Sequence, residues 1–143
     1  MRRLFLLLGL AAATACGSDS SGVDLTLPQT ETNVAGNFGL VFANGLVPPF
    51  DATLTSTELW TLTSDVMFIS ASGTWADTTT YQITSRADGT QTNRQTASAG
   101  TYSIANGQIN FVMTVGGSVA FQGAVSQGSL IVNSGGKRFI YKK

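Results

Sequence analysis

Four glycine-containing residue pairs divide the C-terminal part of the chain at short, regular intervals. Asn106-Gly107, Gly116-Gly117, Gln127-Gly128 and Gly135-Gly136 begin 10, 11 and 8 residues apart. Two-residue hairpin turns of type I′ need positive φ at both central residues, which favours Asn-Gly and Gly-Gly pairs. Strands joined by such turns pair antiparallel, so these intervals predict a run of consecutive β-hairpins.

The residues between these turns alternate in polarity. Apolar residues at every second position mark the strand face that packs on a core. The pattern is clearest from residue 109 onward, at Ile109, Phe111, Met113, Val115, Val119, Phe121, Val125, Leu130 and Val132. It therefore predicts strands that have one face on a core and the other towards water.

The chain before Asn106 also predicts strands, with less regular boundaries. Val, Ile, Phe, Tyr, Trp and Thr dominate from Val34 onward, and these residue types suit a pleated, half-buried surface. Predicted strands lie within residues 37–43, 53–63, 66–74, 79–87 and 91–97. No convincing helix interrupts them, so we expect an all-β domain. A single antiparallel meander of about 8–10 strands loses its unpaired edges by closing into an up-and-down barrel.

Residues 44–50 form the one long connection between predicted strands. Pro48 and Pro49 cannot donate hydrogen bonds to a sheet, so this segment is predicted to be a loop. Its apolar residues, Leu46 and Val47 among them, leave three alternatives open. The loop is a lid over a cavity, a surface for a partner, or a plug packed into the core.

The N-terminal residues have the pattern of an export signal. Arg2 and Arg3 precede a ten-residue apolar run, 4–13, and small residues lead from this run to Cys16. A positive start, an apolar core of about 7–15 residues and a small-residue cleavage site describe a secretory signal peptide. The run is shorter than the roughly 20 residues that span a bilayer. We therefore predict that residues 1–15 are a signal peptide.

The segment Ala13-Thr14-Ala15-Cys16 resembles the lipobox of bacterial lipoproteins, in which Leu is commoner where this chain has Ala13. The resemblance implies that Cys16 becomes the new N-terminus and carries a diacylglycerol, with palmitate as a typical acyl chain. Lipidation of Cys16 also accounts for the single cysteine in an exported chain. In that family Asp after the cysteine retains the protein in the inner membrane, so Gly17 implies a lipid-anchored protein of the cell outer membrane.

Residues 16–33 separate the predicted anchor from the predicted barrel. Ser, Thr, Gly and Asp are frequent there, which is typical of a flexible tether. The alternative is an N-terminal strand that docks on the domain, because Val23, Leu25 and Leu27 alternate. Residues 34–143 then form one domain, long enough to bury a core without disulfides.

Several short motifs in this domain occur in series. They are Gly36-Asn37-Phe38, Gly100-Thr101-Tyr102, Asn106-Gly107, Ile109-x-Phe111 and Phe139-x-Tyr141-Lys142. In this order they resemble the lipocalin-like small β-barrel domains of bacterial envelope lipoproteins, although lipocalins proper have Trp where this chain has Phe38. The resemblance implies a barrel that holds a small apolar ligand or has no known ligand.

The composition excludes several function classes. The chain has no histidine, so Ser-His-Asp and Cys-His catalytic arrangements are excluded. Without the signal peptide it has six basic and eight acidic residues, which gives no electrostatic basis for nucleic-acid binding. We predict no metal and no cofactor. Glu58 is either a polar group in a cavity or an outward residue, and Asp65, Asp77 and Asp88 are predicted to lie in turns.

Aromatic residues are the remaining candidates for a binding site. Phe38, Trp60, Phe111 and Phe121 are predicted ligand contacts, with a side-chain-filled interior as the alternative. We therefore expect a non-enzymatic, membrane-anchored lipoprotein that binds a small hydrophobic ligand. The alternative is a protein-interaction or inhibitor module of the cell envelope with a filled barrel. The identity of a ligand or partner cannot be read from the sequence.

Overall fold

The computed structural model describes residues 25–143, in which nine β-strands and no α-helix are present. The strands are β1 (Gly36–Ala43), β2 (Phe50–Leu54), β3 (Glu58–Ile69), β4 (Thr74–Ser85), β5 (Gln91–Ala105), β6 (Gln108–Val115), β7 (Ala120–Ser126), β8 (Ser129–Ser134) and β9 (Lys137–Lys142). The all-β prediction is confirmed. The predicted signal peptide and Cys16 lie outside the described residues.

Eight of these strands form a closed antiparallel barrel. Strands β3 to β8 each pair with the next strand along the chain, and β1 closes the barrel between β9 and β3. Strand β2 pairs with the N-terminal part of β3 and adds a short ninth strand beside the closed barrel. The predicted meander that closes into a barrel is therefore confirmed.

The hairpin turns have the backbone that their residue types predict. Asn106 and Gly107 have φ of 53° and 73°, and Gln127 and Gly128 have φ of 51° and 71°. The predicted strand at residues 91–97 is the first half of β5, which continues to Ala105. Gly100 does not form a turn. It lies within β5, at a point where the backbone of β6 approaches closely. A Cβ atom at position 100 would be 1.9 Å from the carbonyl oxygen of Val112.

One end of the barrel is filled by side chains. We call it the lower end; it includes the start of β1 and the β5–β6 turn. The fully buried residues Phe38, Ile69, Ile109, Phe111 and Leu130 form its core. Val34, which precedes β1, is also buried in this cluster and closes it from below. In this half of the barrel, the interior is therefore filled by side chains, as the alternative to a ligand cavity predicts.

The described part of the predicted tether contacts the outside of the barrel. The backbone N–H groups of Thr30 and Glu31 donate to the carbonyl oxygens of Gly107 and Val125, both at 2.8 Å. Further towards the N-terminus, the Asn133 amide donates to the carbonyl oxygen of Leu25. Residues 25–34 therefore run along the barrel from the end of β8 to the lower end.

Candidate functional site

A cavity of about 240 Å³ lies above the filled core, inside the barrel. We call it the barrel cavity, and its opening faces the upper end, which includes the β6–β7 and β8–β9 turns. Most of its wall is apolar. The lining residues are Asp65, Met67, Trp75, Asp77, Ser98, Met113, Val119, Phe121, Val132, Ser134, Phe139 and Tyr141. Val119, in the β6–β7 turn, is 51% exposed and marks the rim.

Trp75 forms the boundary between the core and the barrel cavity. Its ring packs edge-to-face on Phe111 and Phe121, with ring centroids 5.9 and 5.3 Å apart. Its Nε1–H donates to the carbonyl oxygen of Thr101 at 3.1 Å, so the ring is held by packing and by a hydrogen bond. Phe121 in turn stacks on Phe111 at 4.8 Å. This rigid aromatic floor supports the cavity from below.

Two aspartates, Asp65 and Asp77, project into the barrel cavity from neighbouring strands. In the β3–β4 ladder, Asp65 is opposite Thr79 and Asp77 is opposite Met67, so the two carboxyl groups lie diagonally on one face. The prediction that they lie in turns is wrong. Asp65 occupies the interior of β3, where the period of two places it on the same side as Met67 and Ile69. Asp88, by contrast, lies in the β4–β5 turn and accepts a hydrogen bond from the N–H of Thr90 at 3.0 Å.

Hydroxyl groups satisfy one oxygen of each carboxyl group. The Tyr141 hydroxyl donates to Asp65 Oδ2 at 3.2 Å, and the Thr79 hydroxyl donates to Asp77 Oδ2 at 3.3 Å. The Ser98 hydroxyl lies 3.5 Å from the same Asp77 oxygen. The other oxygen, Oδ1, is buried in both residues, and no donor reaches it from the described residues except the proton that the two carboxyl groups can share. The acid pair is therefore only half satisfied by the fold.

Burial dominates the electrostatics of this pair. Burial, and after it the hydrogen bond and like charge of the neighbouring Asp77, raise the pKa of Asp65 to about 8. The hydrogen bond from Tyr141 opposes this rise in the pKa of Asp65. Burial and the two carboxyl groups also raise the pKa of Tyr141 well above 10 and raise that of Tyr81. At neutral pH the Asp65 carboxyl group therefore holds its proton.

The four predicted ligand contacts occupy different places. Phe121 lines the barrel cavity, whereas Phe38 and Phe111 are fully buried in the filled core. Trp60 lies near the start of β3, outside this cavity, where its Nε1–H donates to Glu58 Oε2 at 2.8 Å. The Arg94 guanidinium lies over the Trp60 ring at 5.2 Å. The structure brings none of these residues together with Phe121 as a cavity wall.

The β1–β2 loop is on the surface at the upper end. Leu46 and Val47 are 53% and 58% exposed, so the prediction that this loop plugs the core is wrong. The loop borders a second cavity of about 340 Å³, whose lining includes Phe50, Leu62 and Phe139. The lid and partner-surface alternatives both remain predictions.

Within residues 25–143, no cluster of three His, Cys, Asp or Glu side chains is arranged to hold a metal ion. The same part of the chain has no helix long and apolar enough to cross a bilayer. Comparisons of the chain with protein-family models, curated proteins and solved structures found no match.

Proposed function

We propose that this chain is a lipid-anchored protein of the bacterial cell envelope whose barrel binds a small, largely apolar molecule without converting it. The barrel cavity is the observation that carries the binding part of the proposal. The anchor is supported by the resemblance of residues 13–16 to a lipobox.

The construction of the barrel cavity favours binding. Small-molecule sites are concave and mostly apolar, with a few polar groups that fix orientation. This cavity has an aromatic floor, an apolar wall and one cluster of carboxyl and hydroxyl groups. Its open rim at Val119 gives a ligand a route from solvent to the interior.

The position of the acid pair favours binding over hydrolysis. A glycosidase needs two carboxyl groups on opposite sides of the bond that is cleaved, about 5–9 Å apart. Asp65 and Asp77 lie on adjacent strands of one wall and share a hydrogen bond, so a substrate would meet both carboxyl groups from the same side. This arrangement suits recognition of one polar group.

The orientation of the chain is consistent with a ligand that comes from the membrane. Leu25 lies beside Asn133, near the end of β8, and thus on the side of the upper end. We propose that a lipid anchor at Cys16 holds this end, with the exposed Leu46 and Val47 and the cavity rim, towards the bilayer. Each buried CH₂ contributes about 0.8 kcal/mol to membrane affinity, so a diacylated cysteine gives stable attachment.

Binding is tested by closing the rim. The mature chain, residues 16–143, is prepared with Cys16→Ser and titrated with n-propylbenzene by calorimetry. Val119→Trp narrows the opening and is expected to abolish or strongly weaken binding. Val115→Trp is the matched control, because Val115 is similarly exposed but does not line the barrel cavity. Equal affinity in both variants, or no binding to the parent protein, would reject the cavity as the binding site.

The anchor is tested separately in cells. The full chain is expected to fractionate with the membrane and to incorporate a palmitate analogue, and Cys16→Ser is expected to abolish both. Unchanged membrane association of the Cys16→Ser variant would reject lipid anchoring and would leave the cavity result unaffected.

A further inference from the structure

The Oδ1 atoms of Asp65 and Asp77 indicate the chemistry of the ligand. Asp65, which is only 8% exposed, and Asp77 line the barrel cavity, and their buried Oδ1 atoms have no donor among the described residues other than the proton that Asp65 carries. A buried acceptor without a donor is destabilising, and more so when it is charged. A ligand that brings donors to both oxygens removes this cost.

The charge of the pair is also unbalanced. The side chains that act on the Asp65 carboxyl group are Asp77 from β4 and Tyr141 from β9, and neither carries a positive charge. Strand β1, which pairs with β3, has no titratable residue, and β5 contributes the neutral Ser98 to the cavity wall. The barrel cavity is therefore lined by two acidic side chains and by no basic one, and a cation is the complementary ligand group.

We propose that the barrel cavity binds a small primary amine, with its ammonium group between Asp65 and Asp77 and its apolar body against Trp75 and Phe121. This inference deepens the proposed binding function and rests on it. An ammonium group has three N–H donors and no acceptor, which matches the nearby Ser98 hydroxyl and the two carboxyl oxygens that only the proton of Asp65 can satisfy. Charge-assisted hydrogen bonds of this type are about twice as strong as neutral ones.

An organic cation fits this cavity better than a metal ion. Ca²⁺ takes about 6–8 oxygen ligands. The barrel cavity presents the acid pair and a few hydroxyl groups within a wall that is otherwise apolar. Aromatic rings attract cations through their faces, so Trp75 and Phe121 can contact the ligand without a charge of their own.

The volume of the cavity limits the size of the amine. A cavity of about 150 Å³ accommodates benzene. The barrel cavity, at about 240 Å³, is roughly one and a half times larger. A single aromatic ring or short alkyl chain that carries an aminoethyl group therefore fits, whereas a long lipid chain does not.

The test compares three probes that have the same number of non-hydrogen atoms. The Cys16→Ser mature chain is titrated by calorimetry with 2-phenylethylamine, 2-phenylethanol and n-propylbenzene at pH 7. We expect the amine to bind at least tenfold more tightly than the other two. We also expect Asp65→Asn and Asp77→Asn to abolish this preference while the affinity for n-propylbenzene is retained.

Proton release provides a readout that packing alone would not change. Because the pKa of Asp65 is about 8, this carboxyl group holds a proton at pH 7, and the ammonium group replaces that proton. Calorimetry in buffers of different ionisation enthalpy should therefore detect release of about one proton per bound amine. The same measurement with Asp65→Asn should detect none.

The outcomes separate the two proposals. If all three probes bind with equal affinity, or if the amine preference survives in both aspartate variants, the amine proposal is wrong and the binding function stands. If n-propylbenzene and the amine both fail to bind, the binding function itself is wrong. If n-propylbenzene binds, and the amine binds at least tenfold more tightly and releases a proton, both proposals are supported.

Discussion

The substitution Asp65→Asn should abolish a loss of stability that the parent protein shows as the pH rises from 4 to 8. The ordinary pKa of Asp65 is 3.8, and burial beside Asp77 raises it to about 8 in the folded barrel. Between these two values the folded chain holds a proton that the unfolded chain has lost. The free energy of unfolding must therefore fall as the pH rises across this range. Asn keeps the shape of the side chain and removes the titration.

The size of this loss of stability follows from the rise in the pKa of Asp65. Across the range, each pH unit changes the unfolding equilibrium constant by up to tenfold. From pH 4 to pH 8 the accumulated loss of stability approaches about 5 kcal/mol, which is comparable to the whole stability of many domains. The amide at position 65 avoids this loss, so the variant should be more stable than the parent protein at pH 8.

Urea unfolding between pH 5 and pH 9, followed by tryptophan fluorescence, measures the slope of the free energy of unfolding against pH. Tyr141→Phe provides a check on the sign. The Tyr141 hydroxyl lowers the pKa of Asp65, so its removal should move the end of the slope to higher pH. Asp88→Asn is the matched control. Hydrogen bonds from Ser85 and Thr90 lower the pKa of this exposed turn residue, so it stays ionised over the whole range and its removal should leave the slope unchanged.

Two results would refute this reasoning. One is a parent protein whose stability rises or stays constant from pH 5 to pH 8. The other is an Asp65→Asn variant that keeps the slope of the parent protein. Either result would mean that Asp65 is ionised inside the barrel at neutral pH and that the acid pair holds no shared proton.

Two further predictions concern packing. Gly100→Ala should strongly destabilise the barrel, because the added Cβ would lie 1.9 Å from the Val112 carbonyl oxygen, whereas Gly39→Ala places its Cβ 4.0 Å from the nearest atom and should be tolerated. Thermal unfolding of both variants gives the comparison, and similar midpoints would contradict it. Phe111→Ala should lower the free energy of unfolding by about 3–5 kcal/mol because it empties the filled core, whereas the same change at Phe68, which is 47% exposed, should cost far less. Urea unfolding distinguishes the two, and equal losses would mean that the core lies elsewhere.

The barrel could be predicted because its turns depend on local chemistry. Asn106-Gly107 adopts positive φ at both residues, as a type I′ turn requires, and this preference acts within a few residues of sequence. The continuity of β5 could not be predicted in the same way. Gly100 looks like an interruption in the sequence, and only the close approach of Val112 from β6 shows that it belongs inside a strand.

The acid pair was missed because aspartate is rare in the interior of strands and common in turns. Asp65 nevertheless belongs to the same alternating set of inward positions as Met67 and Ile69, and that alternation is visible in the sequence. The sequence around Asp77 gives a weaker signal, because Asp77 lies in a polar stretch of β4 with few apolar residues to mark the inward face. The meeting of the two carboxyl groups depends on the β3–β4 register, which the sequence does not specify.

The location of the pair is the strongest argument that it serves a ligand. The lower end of the barrel shows that this chain can fill its interior with apolar side chains, as it does at Phe38, Ile109 and Phe111. At the upper end it places two aspartates where apolar residues would be more stable, and the interior is open at the same level. Proteins depart from such local rules mainly at functional sites. Glu58 shows the contrast, because its carboxylate already accepts a hydrogen bond from Trp60 and borders no part of the barrel cavity. An unsatisfied acid pair beside open volume is the combination that binding of a cation would stabilise.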